Sequence, residues 1–179
     1  MKRIFCLMLA LVMLLTACQS KPTPNTIIDN KPLSEVMETV RTNFDEKYGE
    51  NGASIVNMAG DIEPMYLSDM CGIPEENIAE SYGWISMSMT NSDTFFVIKA
   101  AEGKAEEVKT AMENRLQALI EQYEFYPVNG SYDRAKAGKV HVLGDYVFLI
   151  VVGVDPEKPE EFDSQVQFVV DEINKQFNH

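Results

Sequence analysis

Cysteine, histidine and basic residues are all scarce in this 179-residue chain. There are three cysteines (Cys6, Cys18, Cys71) and two histidines (His141, His179). No Cys-x-x-Cys or His-x-x-x-His pair occurs, so the chain lacks the ligand spacing of a structural zinc site. Lys and Arg total 15 against 28 Asp and Glu, a formal charge of −13, which argues against nucleic acid as a partner because phosphate backbones select basic surfaces. Glycines stand singly, as turn residues do, and form no phosphate-cradling loop. No serine sits in a Gly-x-Ser-x-Gly elbow, and no acid run has the spacing of a calcium loop. No metal or cofactor is therefore expected. What the chain does have is 45% hydrophobic residues, too many for a disordered acidic tail. Its length suits one compact domain plus a leader.

The leader is the most specific feature. Lys2 and Arg3 precede an almost wholly apolar stretch over residues 4–15, too short for a membrane span of about 20 residues. Leu15-Thr16-Ala17 then precedes Cys18. A basic start, a short apolar run and small residues before a cut describe a secretory signal. With a cysteine at the cut, this one resembles the lipobox of bacterial lipoproteins. That resemblance implies a signal peptide over residues 1–17, a diacylglyceryl group on the Cys18 thiol and cleavage just before it. The mature charge would be −15, since only Lys2 and Arg3 leave with the leader. The implied location is the extracytoplasmic face of the cell membrane. Two acyl chains hold a protein there stably, where one would be marginal. Cys6 departs with the leader and Cys18 is lipidated, so Cys71 has no disulfide partner within the chain. Alone in an apolar segment, it reads as a small buried hydrophobe.

Residues 18–32 hold Pro22, Pro24 and Pro32 among polar residues, the composition of an extended tether. A single globular domain is expected over residues 33–179. Ser34 is a candidate N-cap, with Glu35 and Glu38 in the first turn and Val36, Met37, Val40 and Phe44 forming one apolar stripe. Residues 62–71 read as a short helix with Pro64 in its first turn, and residues 73–78 as a turn entering one more helical turn.

The rest of the chain repeats one order of elements. Alternation over residues 84–90 reads as a strand, Asn91-Ser92-Asp93 as a turn, residues 94–98 as a second strand and residues 105–123 as a long amphipathic helix. Then residues 139–143 read as a strand, Gly144-Asp145 as a hairpin turn, residues 146–152 as a continuous apolar strand and residues 160–177 as the closing helix. Asp93 and Asp145 correspond. The expectation is an α+β two-layer sandwich: a four-stranded antiparallel sheet from a ββα-ββα repeat, with two long helices on one face and further helices at the N-terminus.

Three runs carry a family resemblance: Met70-Cys71-Gly72-Ile73-Pro74-Glu75-Glu76-Asn77-Ile78-Ala79-Glu80, then Ser92-Asp93-Thr94-Phe95-Phe96-Val97-Ile98-Lys99-Ala100, and Gly144-Asp145-Tyr146-Val147-Phe148-Leu149-Ile150. With the Glu/Lys-rich helix and the Tyr123 and Tyr126-Pro127 that follow, they resemble an uncharacterised domain of Gram-positive bacterial lipoproteins over residues 61–177. The resemblance implies a lipoprotein leader and supplies no catalytic residue. Cys71 and Trp84 depart from the residues common at those places.

The remaining candidates are modest. Asp155, Glu157, Glu160, Glu161 and Asp163 contain enough carboxylates for glycan cleavage, but acids at a helix start match the helix dipole without chemistry. His141 lies on a strand with no serine at a motif spacing. Tyr123, Phe125, Tyr126 and Tyr132 cluster near the end of the long helix, where they read as core edge or as a contact for a peptide or glycan. The leading expectation is a lipid-anchored, non-enzymatic module that binds or scaffolds another envelope protein or glycan. A cell-wall or peptide-processing hydrolase using carboxylates is the first alternative. A small solute-binding lipoprotein is the second, although such proteins usually need two lobes.

Overall fold

The computed structural model describes residues 31–49, 55–56, 59–62 and 64–177. The leader, Cys18 and the tether up to residue 30 lie outside the described residues. Helix α1 (Leu33–Tyr48) turns its Val36, Met37, Val40 and Phe44 stripe into the core. Its N-cap is Pro32 rather than Ser34, and no side chain caps it. The proline ring offers no capping acceptor, but its carbonyl accepts from the Glu35 N–H, and the helix begins two residues earlier than a Ser34 cap would place it. Strand β1 (Ala59–Asp61), helix α2 (Pro64–Cys71) and a 3₁₀ turn at Glu75–Asn77 follow.

The ββα order then appears twice. Strands β2 (Ile78–Ser86) and β3 (Thr94–Ala100) lead into α3 (Ala105–Phe125). A short α4 (Ser131–Ala137) intervenes, and β4 (Lys139–Leu143) and β5 (Tyr146–Val151) lead into α5 (Phe162–Phe177). The sheet is antiparallel throughout, in the order β1-β2-β3-β5-β4. Its four principal strands are the expected ones, and the three-residue β1 extends the β2 edge.

Strand β2 departs from its expected span. It starts at Ile78 and leaves the sheet after Ser86, although the apolar alternation continues through Met87 and Met89. Those two methionines are 71% and 87% exposed. At the centre of β2, Gly83 holds φ +142°, and a Cβ there would lie 2.4 Å from the Phe95 carbonyl oxygen and the Phe96 Cα. Only glycine fits this close approach.

The long helices divide between the two faces of the sheet, where the expectation grouped them on one. Phe95, Val97, Tyr146, Phe148 and Ile150 pack with α1 and with Val166, Val169, Val170 and Ile173 of α5. Phe96, Ile98, Val147, Leu149 and Val151 pack on the other side, with Leu67 of α2 and Val108, Met112 and Leu119 of α3. The physical reason is the composition of β5, apolar at every position and buried at every position, which requires cover on both faces. Phe95 and Val147, equivalent in the two ββα units, accordingly face opposite ways. The repeat is one of element order, not of packing.

Candidate functional site

The β2–β3 connection is polar in sequence and is held rigidly. The Ser88 backbone N–H donates to Ser86 Oγ and the Thr90 N–H to Ser88 Oγ, both at 3.2 Å. Asn91 Oδ1 accepts from the Asp93 N–H at 3.1 Å, and Asn91 Nδ2 donates to Asp93 Oδ2 at 3.0 Å. Ser92 Oγ reaches the Ser131 carbonyl on α4 at 2.8 Å, and the Tyr123 hydroxyl donates to the Asn91 carbonyl at 2.9 Å. These short polar side chains replace ladder hydrogen bonds with local ones, as they commonly do in turns.

Beneath the connection lies a buried ion pair. Arg134 Nε is 2.8 Å from Asp93 Oδ1, with both side chains 5% exposed. The same Nε donates to the Gly153 carbonyl at 2.9 Å, and Nη1 donates to Asn91 Oδ1 at 3.1 Å. The guanidinium also lies 5.2 Å from the Phe162 ring centre. One arginine thus joins the β2–β3 connection, α4 and the segment after β5.

A cleft of about 210 Å³ opens between this connection, α2 and α3. Ser86, Asn91, Asp93 and Tyr123 contribute its polar lining, with Arg115 and Gln122 from α3. Tyr66, Met87 and Met89 form an apolar rim, all three largely exposed. Burial raises the Tyr123 pKa above its ordinary value, Arg115 partly offsets this, and Asp93 adds to the rise. The phenol therefore stays protonated and continues to donate to Asn91.

The sequence-derived aromatic cluster separates. Tyr123 is buried and lines the cleft, whereas Phe125 and Tyr126 project into solvent at 92% and 58% exposure. Tyr132 is half-buried, with its hydroxyl 3.5 Å from Glu124 and Lys136 over its ring. His141 shares a 2.9 Å hydrogen bond with Asn174 rather than with a serine, and burial lowers its pKa. Cys71 lines a separate shallow cleft with Glu106, Glu107 and Thr110. Burial pushes its thiol up to about 11, the opposite of an activated cysteine. Asp155 accepts from the Glu157 N–H at 2.9 Å and pairs with Lys158, so part of the acidic cluster builds the turn before α5.

Sequence reasoning missed Arg115 and the rim methionines. Arg115 occupies the buried stripe of α3, three residues after Met112 and four before Leu119, where an apolar residue is the norm. That misplaced cation was the available signal. Met87 and Met89 were hidden inside a strand-like alternation.

Over residues 53–152, more than half of the chain, the sequence matches the family described as a domain of unknown function, DUF4358. The chain belongs to this family. The matched DUF4358 segment spans the sheet, α2, α3 and α4, and therefore the whole cleft; α1 and α5 lie outside it. No curated protein and no solved structure matches the chain. Among the described residues no helix is long and apolar enough to cross a membrane.

Proposed function

We propose that this protein is a lipid-anchored, non-enzymatic module of the bacterial envelope, and that it binds another envelope protein through the cleft between the β2–β3 connection, α2 and α3. The anchor would be Cys18, at the extracytoplasmic face of the cell membrane, with residues 18–32 as tether. The lipobox-like Leu15-Thr16-Ala17-Cys18 supports that part.

The observation that carries the binding role is the exposure of Tyr66, Met87 and Met89 around a polar-floored cleft. The connection bearing both methionines is pinned by its own hydrogen bonds, so their display in solvent is built in. Contiguous exposed apolar side chains with polar surroundings mark interaction surfaces, and methionine adapts to varied partners. A preformed surface also lowers the ordering cost of association.

The test is crosslinking in intact cells followed by capture of the full chain. The double variant Met87→Ser/Met89→Ser should lose the crosslinked partner, while His141→Ala should keep it. Retention by the methionine double variant would reject the cleft as the binding face. Loss with a folded His141→Ala variant would favour a hydrolase, since removing a general base commonly costs about 10²- to 10⁴-fold in rate.

A further inference from the structure

The occupant of the cleft can be specified further, on the basis of the binding role just proposed. Arg115 is half-buried, and its Nε is buried without a hydrogen-bond acceptor. Among the described residues it has no ion-pair partner, although the chain carries 28 acids and pairs Lys104, Lys109, Arg134, Lys158 and Lys175 with carboxylates. A buried donor without an acceptor is costly, and a guanidinium presents a planar fork that matches a carboxylate. Among the described residues the one carboxylate lining the cleft, Asp93, is already paired with Arg134.

Size narrows the ligand. The cleft encloses about 210 Å³, below the 300–1,000 Å³ typical of small-molecule sites, so it admits one side chain or one chain end of a larger partner. The apolar rim lies beside the cation, so the partner's carboxylate must adjoin a large apolar group.

We infer that the cleft receives a carboxylate of a partner polypeptide, paired with Arg115, with a neighbouring large apolar side chain seated on Tyr66, Met87 and Met89. The methionine-flanked arginine acts as a reader of acidic-apolar peptide segments.

Fluorescence polarisation with the full chain in detergent micelles tests this. Three labelled tetrapeptides serve as probes: Gly-Ser-Leu-Phe with a free terminal carboxylate, the same peptide as its amide, and Gly-Ser-Glu-Phe amide. The first or the third should bind and the neutral amide should not, and which of them binds distinguishes a chain end from an acidic side chain. Arg115→Gln should weaken binding roughly 10- to 100-fold at an unchanged melting temperature. Arg115→Lys, which keeps the charge but not the fork, should recover part of the loss. Equal binding of the neutral amide, or binding unaffected by Arg115→Gln, would overturn the inference, as would no binding by any peptide. If Met87→Ser/Met89→Ser still abolishes partner capture in cells while Arg115→Gln does not, the carboxylate fails and the binding face stands. A cell-derived adduct consisting of a second copy of this chain or of lipid would also overturn it.

Discussion

Arg134 and Asp93 sit 2.8 Å apart with almost no access to water, and the Asn91 and Gly153 groups around them add hydrogen bonds to the pair. Removing the arginine strands a buried carboxylate. Arg134→Ala should cost about 3–5 kcal/mol of stability in a denaturant titration. A loss below about 1 kcal/mol would mean that water already reaches the pair. His141 offers a pH-dependent counterpart. Burial lowers its pKa, the Asn174 hydrogen bond works the other way, and Lys139 adds to the lowering. Below the ordinary value of 6.5 the unfolded chain binds a proton that the folded chain resists. Stability contributed by the neutral form is therefore full above pH 6.5 and declines as pH falls towards the folded pKa. Urea melts between pH 5 and 7 should show this slope in the wild type and a smaller one in His141→Gln; identical slopes would remove His141 as the cause. Cys71, with its thiol near 11, should react with iodoacetamide at pH 8 at least about tenfold more slowly than a free cysteine.

Elements with a strong period were legible in the sequence. The bodies of α3 and α5 fall where the 3.6 period puts them and β5 where the unbroken apolar run puts it, because each buries a long apolar set; β4, only partly buried, is placed by the Gly144-Asp145 turn that joins it to β5. Strand β1 and helix α4 were not legible. Three residues, Ala59, Gly60 and Asp61, carry no pattern, and α4 is a seven-residue segment whose burial centres on Ser131, Arg134 and Ala135 rather than on an apolar stripe. Tertiary contacts specify both. The end of β2 was misplaced for a related reason: Met87 and Met89 keep the alternation of a strand but serve the surface. At this scale Gly83 is the sharpest test. Any side chain there meets the backbone of β3, which cannot yield without breaking the sheet, so Gly83→Ala should cost about 3 kcal/mol or more. Leu149, fully buried on β5 between Phe96 and Val140, should not tolerate Leu149→Asp, and cooperative unfolding should disappear. A near-wild-type melting temperature for either variant would contradict the central placement of these strands.

For the whole molecule, the α+β class and the antiparallel sheet followed from the ββα order, while the cover on both faces was implicit in the unbroken Tyr146-Val147-Phe148-Leu149-Ile150-Val151 run and overlooked. The candidate site was legible only in part. Tyr123 belongs to the cleft, but the Asp93–Arg134 pair joins residues 41 positions apart and left no local pattern, and the Arg115 signal needed the helix face to be read residue by residue. The resulting molecule places one rigid, methionine-rimmed cleft on a sheet stabilised from both sides. The most direct test of its role is site-specific photocrosslinking of the full chain in intact cells, with the photoreactive group at position 89 or, as a control, at the exposed position 160 before α5. Binding through the cleft predicts a discrete protein adduct from position 89 and none from position 160; the same adduct from both positions, or from position 160 alone, would contradict it.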